Sequence, residues 1–170
     1  MMRALRHFVL VMAVLPALGL ATGCTSKFKT YHGPEVTRVI VMKGQRKLFL
    51  MHDHKVLRSY PVELGFAPRG DKRVEGDGKT PEGVYRVDRR NPDSAFYLSL
   101  GISYPNAQDI ARARALGKSP GGDIFIHGRP NANPFDRRKD WTNGCISLRN
   151  RDIRWVYAMV DNGTPVILSP

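Results

Sequence analysis

From residue 36 onward, short apolar runs alternate with turn residues, and β-branched side chains are frequent within the runs. Val36–Met42 ends at a Lys43-Gly44 turn, and Lys47–Met51 and Val56–Val62 flank a polar His52-Asp53-His54 turn. This pattern predicts a three-stranded meander. Val84–Val87, Phe96–Leu100, Asp123–Ile126 and Pro165–Leu168 are further strand candidates, whereas residues 65–83, rich in glycine and punctuated by proline, read as a long ordered loop. Two segments read as helices. Asn106 can cap a helix running to Leu116, with Gly117 as its stop. In the second, Asn150 stands at the cap position and Ile153, Val156, Tyr157 and Val160 fall at i, i+3, i+4 and i+7 before Asn162-Gly163. Many short strands with two short helices, and no strand–helix alternation, predict a mainly β domain built as a sandwich or compact barrel.

The first residues follow a different pattern. Arg3 and Arg6 precede an apolar run from Phe8 to Leu20, and small residues then lead to Cys24. This is the layout of a secretory signal, and the run is shorter than the roughly 20 residues of a membrane span. Leu20-Ala21-Thr22-Gly23-Cys24 resembles a bacterial lipobox, although Ala21 stands where leucine is usual. The expected organisation is a signal peptide at 1–23, a linker at 24–35 with Cys24 as the lipidated residue, and one domain at 36–170. Ordinary cleavage nearby and an uncleaved anchor are the alternatives. A periplasm-facing lipoprotein of the cell envelope is the expected location.

Removal of residues 1–23 leaves 147 residues, enough for one core, and lowers the formal charge from +12 to +10. Such a balance would suggest nucleic acid in the cytoplasm. With an export signal it points instead to anionic wall polymers, peptide carboxylates or lipid headgroups. A monomer is expected.

Cysteine usage adds chemistry. Exported proteins usually pair their cysteines, yet this chain has only Cys24 and Cys145. If Cys24 carries lipid, Cys145 is a candidate reactive thiol; an inert buried thiol is the alternative. A thiol with a pKa of about 8.5 needs a base, and His127 ends the apolar strand Ile124-Phe125-Ile126 beside Gly128. Gly144 would let the chain turn so that amides around Cys145 converge on an oxyanion, a contribution of about 3–4 kcal/mol per donor.

His127-Gly128 followed by Thr142-Asn143-Gly144-Cys145-Ile146-Ser147 resembles the catalytic motif of the YkuD-type L,D-transpeptidases, and Asp140-Trp141-Thr142-Asn143-Gly144-Cys145 resembles a murein transpeptidase-like subgroup. Gly76-Asp77-Gly78-Lys79-Thr80-Pro81-Glu82-Gly83 is similar to a Thr-Pro-x-Gly turn of that family. Asn143 and Ser147 depart from the usual histidine and asparagine or arginine. The resemblance implies a YkuD-like β-sandwich of mixed sheets. It implies that Cys145 attacks a peptide-stem carbonyl of peptidoglycan, that His127 acts as base, and that the Gly128 carbonyl orients the imidazole. Gly144 and Asn143 would form the oxyanion hole, Arg149 and Thr142 would contact substrate, and neither metal nor organic cofactor would be required. The thioester would pass to an amine, or to water in a hydrolase; a non-catalytic wall-binding module is a third reading. Arg112 and Arg114 belong to a lid or to a plain surface helix, and Phe96, Tyr97 and Tyr104 to the core or a cleft wall. His52-Asp53-His54 is read as a solvated turn rather than a metal site.

Overall fold

A computed structural model describes residues 26–170; the expected signal peptide and Cys24 lie outside the described residues. The domain is mainly β with two helices, as the pattern predicts. β1 (Arg38–Met42), β2 (Lys47–His52) and β3 (Lys55–Pro61) form the antiparallel meander. β8 (Pro165–Ser169) returns to pair in parallel with β1. Side chains alternate as a half-buried sheet requires: Val39, Val41, Leu48, Leu50 and Val166 face inward and are sealed from solvent.

β4 (Gly83–Asn91) is longer than its apolar core predicts. Its first half pairs with β8, and its second half pairs with β5 (Ser99–Ile102) after a register irregularity between Val87 and Arg89. One strand thereby carries the chain from one half of the sheet to the other, as at the corner of a sandwich. β5 is buried along its whole length and pairs with β6 (Phe125–His127), which pairs in parallel with the two-residue β7 (Ile146–Ser147). The resulting order is β3-β2-β1-β8-β4-β5-β6-β7, a single mixed sheet. It curls until the segment following β3 meets β7, through bridges Glu63–Ser147 and Gly65–Thr142.

Helix α1 (Ala107–Ala115) begins with the predicted Asn106 cap, completed as a capping box by Asp109. Asp109 is buried and accepts a hydrogen bond from Tyr85 Oη at 3.0 Å, while Arg112 bridges Asp109 and Asp71. The helix is therefore pinned to the body of the domain, and it contributes no residue to the clefts described below. Helix α2 (Asn150–Met159) buries Ile153, Val156 and Tyr157. Its cap differs from expectation: Arg149 occupies the cap position without a side-chain hydrogen bond, and Asn150 is the first helical residue. The Asn150 carboxamide instead accepts the Arg129 amide at 2.7 Å. No helix among the described residues is long and apolar enough to cross a membrane.

Residues 65–83 are ordered by buried cations. Lys43 Nζ donates to the carbonyls of Gly70 and Thr80 and to Glu82, and Lys72 pairs with Asp77 at 3.0 Å. Asp77 in turn accepts the amides of Arg73, Val74 and Lys79. Thr80, in the Thr-Pro-x-Gly turn, accepts the Gly65 amide and so ties this loop to the seam of the sheet.

Candidate active site

The β6–β7 register sets Ile126 opposite Ile146 and His127 opposite Ser147. Cys145 therefore enters β7 two positions along from His127's partner, and side chains two apart on a strand point to the same face. Both side chains line one cleft of about 600 Å³, with Phe96, Trp141, Thr142 and Asn143 among its walls. Glu75 and Asp123 also line it, the Asp123 carboxylate paired with Arg89 at 2.8 Å.

His127 is 3% exposed, and its Nδ1 lies 2.6 Å from the carbonyl oxygen of Gly128. A carbonyl only accepts, so Nδ1 carries the proton and the lone pair of the neutral ring is on Nε2. The Ser147 hydroxyl donates to the same carbonyl at 3.4 Å. Phe96 packs on the imidazole with centroids 4.6 Å apart, and Trp141 meets it edge-on at 5.9 Å. Burial in this aromatic setting lowers the His127 pKa to about 4; the Gly128 hydrogen bond opposes the shift and the Arg129 charge adds to it.

Gly128 is required by close approach: a Cβ there would stand 2.6 Å from Asn150 Oδ1 and 2.8 Å from the Phe96 carbonyl. Phe96 reaches the ring because the chain turns sharply before β5, with Tyr97 at φ 73°. The expected strand at Phe96–Leu100 accordingly starts later, at Ser99. Tyr104 is in the core.

The loop before β7 is braced from several sides. Thr142 Oγ1 donates to the Cys145 carbonyl at 2.7 Å and accepts the Gly144 amide at 3.1 Å. The residues expected to contact substrate thus separate: Thr142 walls the cleft with its hydroxyl engaged inside the loop, and Arg149 lines a neighbouring cleft. Of the two oxyanion candidates, Gly144 has its amide engaged, whereas Asn143 is exposed at the cleft. The Cys145 amide finds no acceptor among the described residues. Gly144 adopts φ 134°, and a Cβ would stand 2.6 Å from the Lys79 carbonyl, so glycine is needed on both counts.

The Cys145 sulfur receives the Phe125 amide and donates to the Asp123 carbonyl, both at 3.4 Å, and no hydrogen bond joins it to the imidazole. Asp123 adopts φ 54°, which takes it out of β6 and turns its carbonyl to the thiol. Burial raises the Cys145 pKa, partly offset by the Phe125 amide. A raised thiol and a lowered imidazole leave both groups neutral near pH 7.

The sequence assigns no role to several supporting residues. Asp140 receives a forked pair from Arg46 and the amide of Leu64, while Glu63 accepts the Asp140 amide, so the seam of the sheet is fastened just before the nucleophile loop. Only the position of Asp140 ahead of the Trp-Thr-Asn-Gly-Cys run signals it.

The profile of the L,D-transpeptidase catalytic domain family, YkuD, matches residues 36–168. YafK of Escherichia coli, named as an L,D-transpeptidase, is 27% identical over 168 residues, covering 89% of this chain and 62% of that protein. The helical cell shape determining protein Pgp2 of Campylobacter jejuni superposes with a TM-score of 0.61 at 29% identity, over 81% of this chain and 49% of Pgp2. An L,D-transpeptidase from Mycobacterium smegmatis shares the fold, with a TM-score of 0.52 at 16% identity, over 79% of this chain and 59% of that one. The chain thus spans about half to three-fifths of the length of these relatives.

Proposed function

This chain belongs to the L,D-transpeptidase catalytic domain family, and from that premise we propose that it transfers peptidoglycan stem peptides through a thioester on Cys145. The observation that carries the reading is the shared cleft, in which a thiol and an imidazole with its unprotonated nitrogen at Nε2 line the same face. Cys145 Sγ attacks the stem carbonyl while its proton passes to His127 Nε2. The carbonyl oxygen, now an oxyanion, is held by the free Cys145 amide with the Asn143 region. Collapse expels the leaving amine, which takes the proton back from Nε2, and the thioester remains. An acceptor amine then attacks, loses its proton to His127, and the thiol reforms. Glu75 gives the cleft a carboxylate for an ammonium-bearing acceptor. Gly128 positions the base through its carbonyl.

Water in place of the amine would give a hydrolase with the same acyl-enzyme. The chain acts in the cell envelope, exported by residues 1–23 and tethered through Cys24. Incubation with tetrapeptide muropeptides, followed by mass spectrometry, tests the reading. We expect an adduct on Cys145 that vanishes in Cys145→Ala, and amine-exchanged products. Hydrolysed stems alone would reassign the acceptor to water. Wall binding by Cys145→Ala with no adduct on the parent protein would leave a binding module.

A further inference from the structure

A second cleft, of about 680 Å³, carries an excess of cationic side chains. Arg129, Arg137, Arg149 and Arg151 line it, against the carboxylates of Glu63 and Asp136. Those carboxylates are already engaged, Glu63 in part by Arg129 itself. Asp136 is held by the Arg138 fork, and Glu63 Oε2 accepts the Asp140 amide while its Oε1 stands 3.8 Å from Arg129 Nη2.

Arg129 is the informative residue. It is 7% exposed, and its Nη1 is buried with no hydrogen-bond partner among the described residues. A guanidinium is always charged, and with one nitrogen unpaired and Glu63 no nearer than 3.8 Å this buried cation is incompletely compensated within the protein. Arg149 and Arg151 are exposed at the start of α2, whose cap residue leaves the helix N-terminus without a side-chain acceptor. A helix N-terminus favours an anion. The planar fork of arginine matches a carboxylate in two parallel hydrogen bonds. The exposed ring of Phe135 stands at the same cleft as an apolar contact for the chain that bears it.

The two clefts are neighbours. Arg129 is two residues beyond His127, and its guanidinium lies 5.8 Å from the ring of Trp141, which walls the catalytic cleft. A stem peptide that offers an ammonium group to the thioester also carries a carboxylate. We propose that Arg129, Arg149 and Arg151 form a carboxylate-binding site for the acceptor stem, whose amine reaches into the catalytic cleft beside Glu75. This assignment rests on the thioester reading above. It makes the acceptor's carboxylate a determinant of transfer and leaves formation of the thioester independent of it.

The test separates the two steps on the full chain. The thioester is formed with a donor tetrapeptide and followed by intact mass. Transfer is then measured to an acceptor stem with free carboxylates and to the same stem with its carboxylates amidated. We expect the amidated acceptor to show a KM about tenfold or more above that of the free acid. The exposed double variant Arg149→Ala/Arg151→Ala raises the KM for the acid to a similar extent and leaves that for the amide unchanged; Arg129→Gln is the buried counterpart. Thermal melting checks that each variant folds. Absence of any thioester would instead defeat the underlying reading. A thioester that transfers equally to acid and amide, or only to water, overturns the carboxylate site. So does a double variant that keeps its acceptor kinetics but loses binding to phosphatidylglycerol vesicles, because the arginines would then serve a membrane surface.

Discussion

Acidification should destabilise this domain through one buried imidazole, and the size of the effect follows from its environment. His127 is 3% exposed with its pKa lowered to about 4, against an unfolded value near 6.5. Because the folded pKa lies below the unfolded one, the contribution is fully present above pH 6.5 and is lost as pH falls toward 4. A difference of about 2.5 units is worth roughly 3 kcal/mol, of which about 2 kcal/mol is gone by pH 5 and nearly all by pH 4. Carboxylates also titrate in this window, so the informative quantity is a difference between proteins. Urea unfolding of the parent and of His127→Gln, repeated at half-unit intervals from pH 7.5 to 4, isolates it. Glutamine removes the titrating group, so the gap between the two stability curves should shrink by about 2 kcal/mol between pH 7 and pH 5. Curves that stay parallel would refute the assignment of a buried neutral imidazole, and with it the statement that the base is unprotonated at neutral pH.

The same environment sets thiol reactivity. Alkylation of Cys145 by iodoacetamide should rise with pH beyond the ordinary thiol range near 8.5 and show no plateau at pH 5–6; such a plateau would mean a preformed thiolate–imidazolium pair. Gly144→Ala should destabilise the domain by about 2–4 kcal/mol in urea unfolding, since its φ of 134° and the 2.6 Å approach of the Lys79 carbonyl both exclude a side chain.

Much of this architecture is legible in the sequence because local pattern and tertiary role agree. The meander and the Ile153, Val156, Tyr157 stripe of α2 bury one face at the period their sequence displays, and α1 is marked by its Asn106 cap. The family was legible too, from His127-Gly128 and Thr142-Asn143-Gly144-Cys145. Other features depend on partners distant in sequence. β7 has two residues, too few to show any period, and exists because β6 and the segment after β3 hold it from both sides. The second half of β4 reads Asp88-Arg89-Arg90-Asn91 because little of it faces the core. Asn150 looks like a helix cap but serves the backbone of Arg129. Nothing local distinguishes Arg129, buried with an unsatisfied nitrogen, from Arg137, which is exposed a few residues on.

The bridges at Glu63–Ser147 and Gly65–Thr142 have a bearing on how the protein fails. They deny the last strand a bare edge on which another chain could assemble. They also put the nucleophile at the join where the curled sheet is fastened to itself, by short contacts rather than by a long ladder. Such a join opens at lower free energy than the interior strands. Warming or denaturant should therefore silence the thiol while most of the amide protons in β1, β2 and β8 are still protected from exchange.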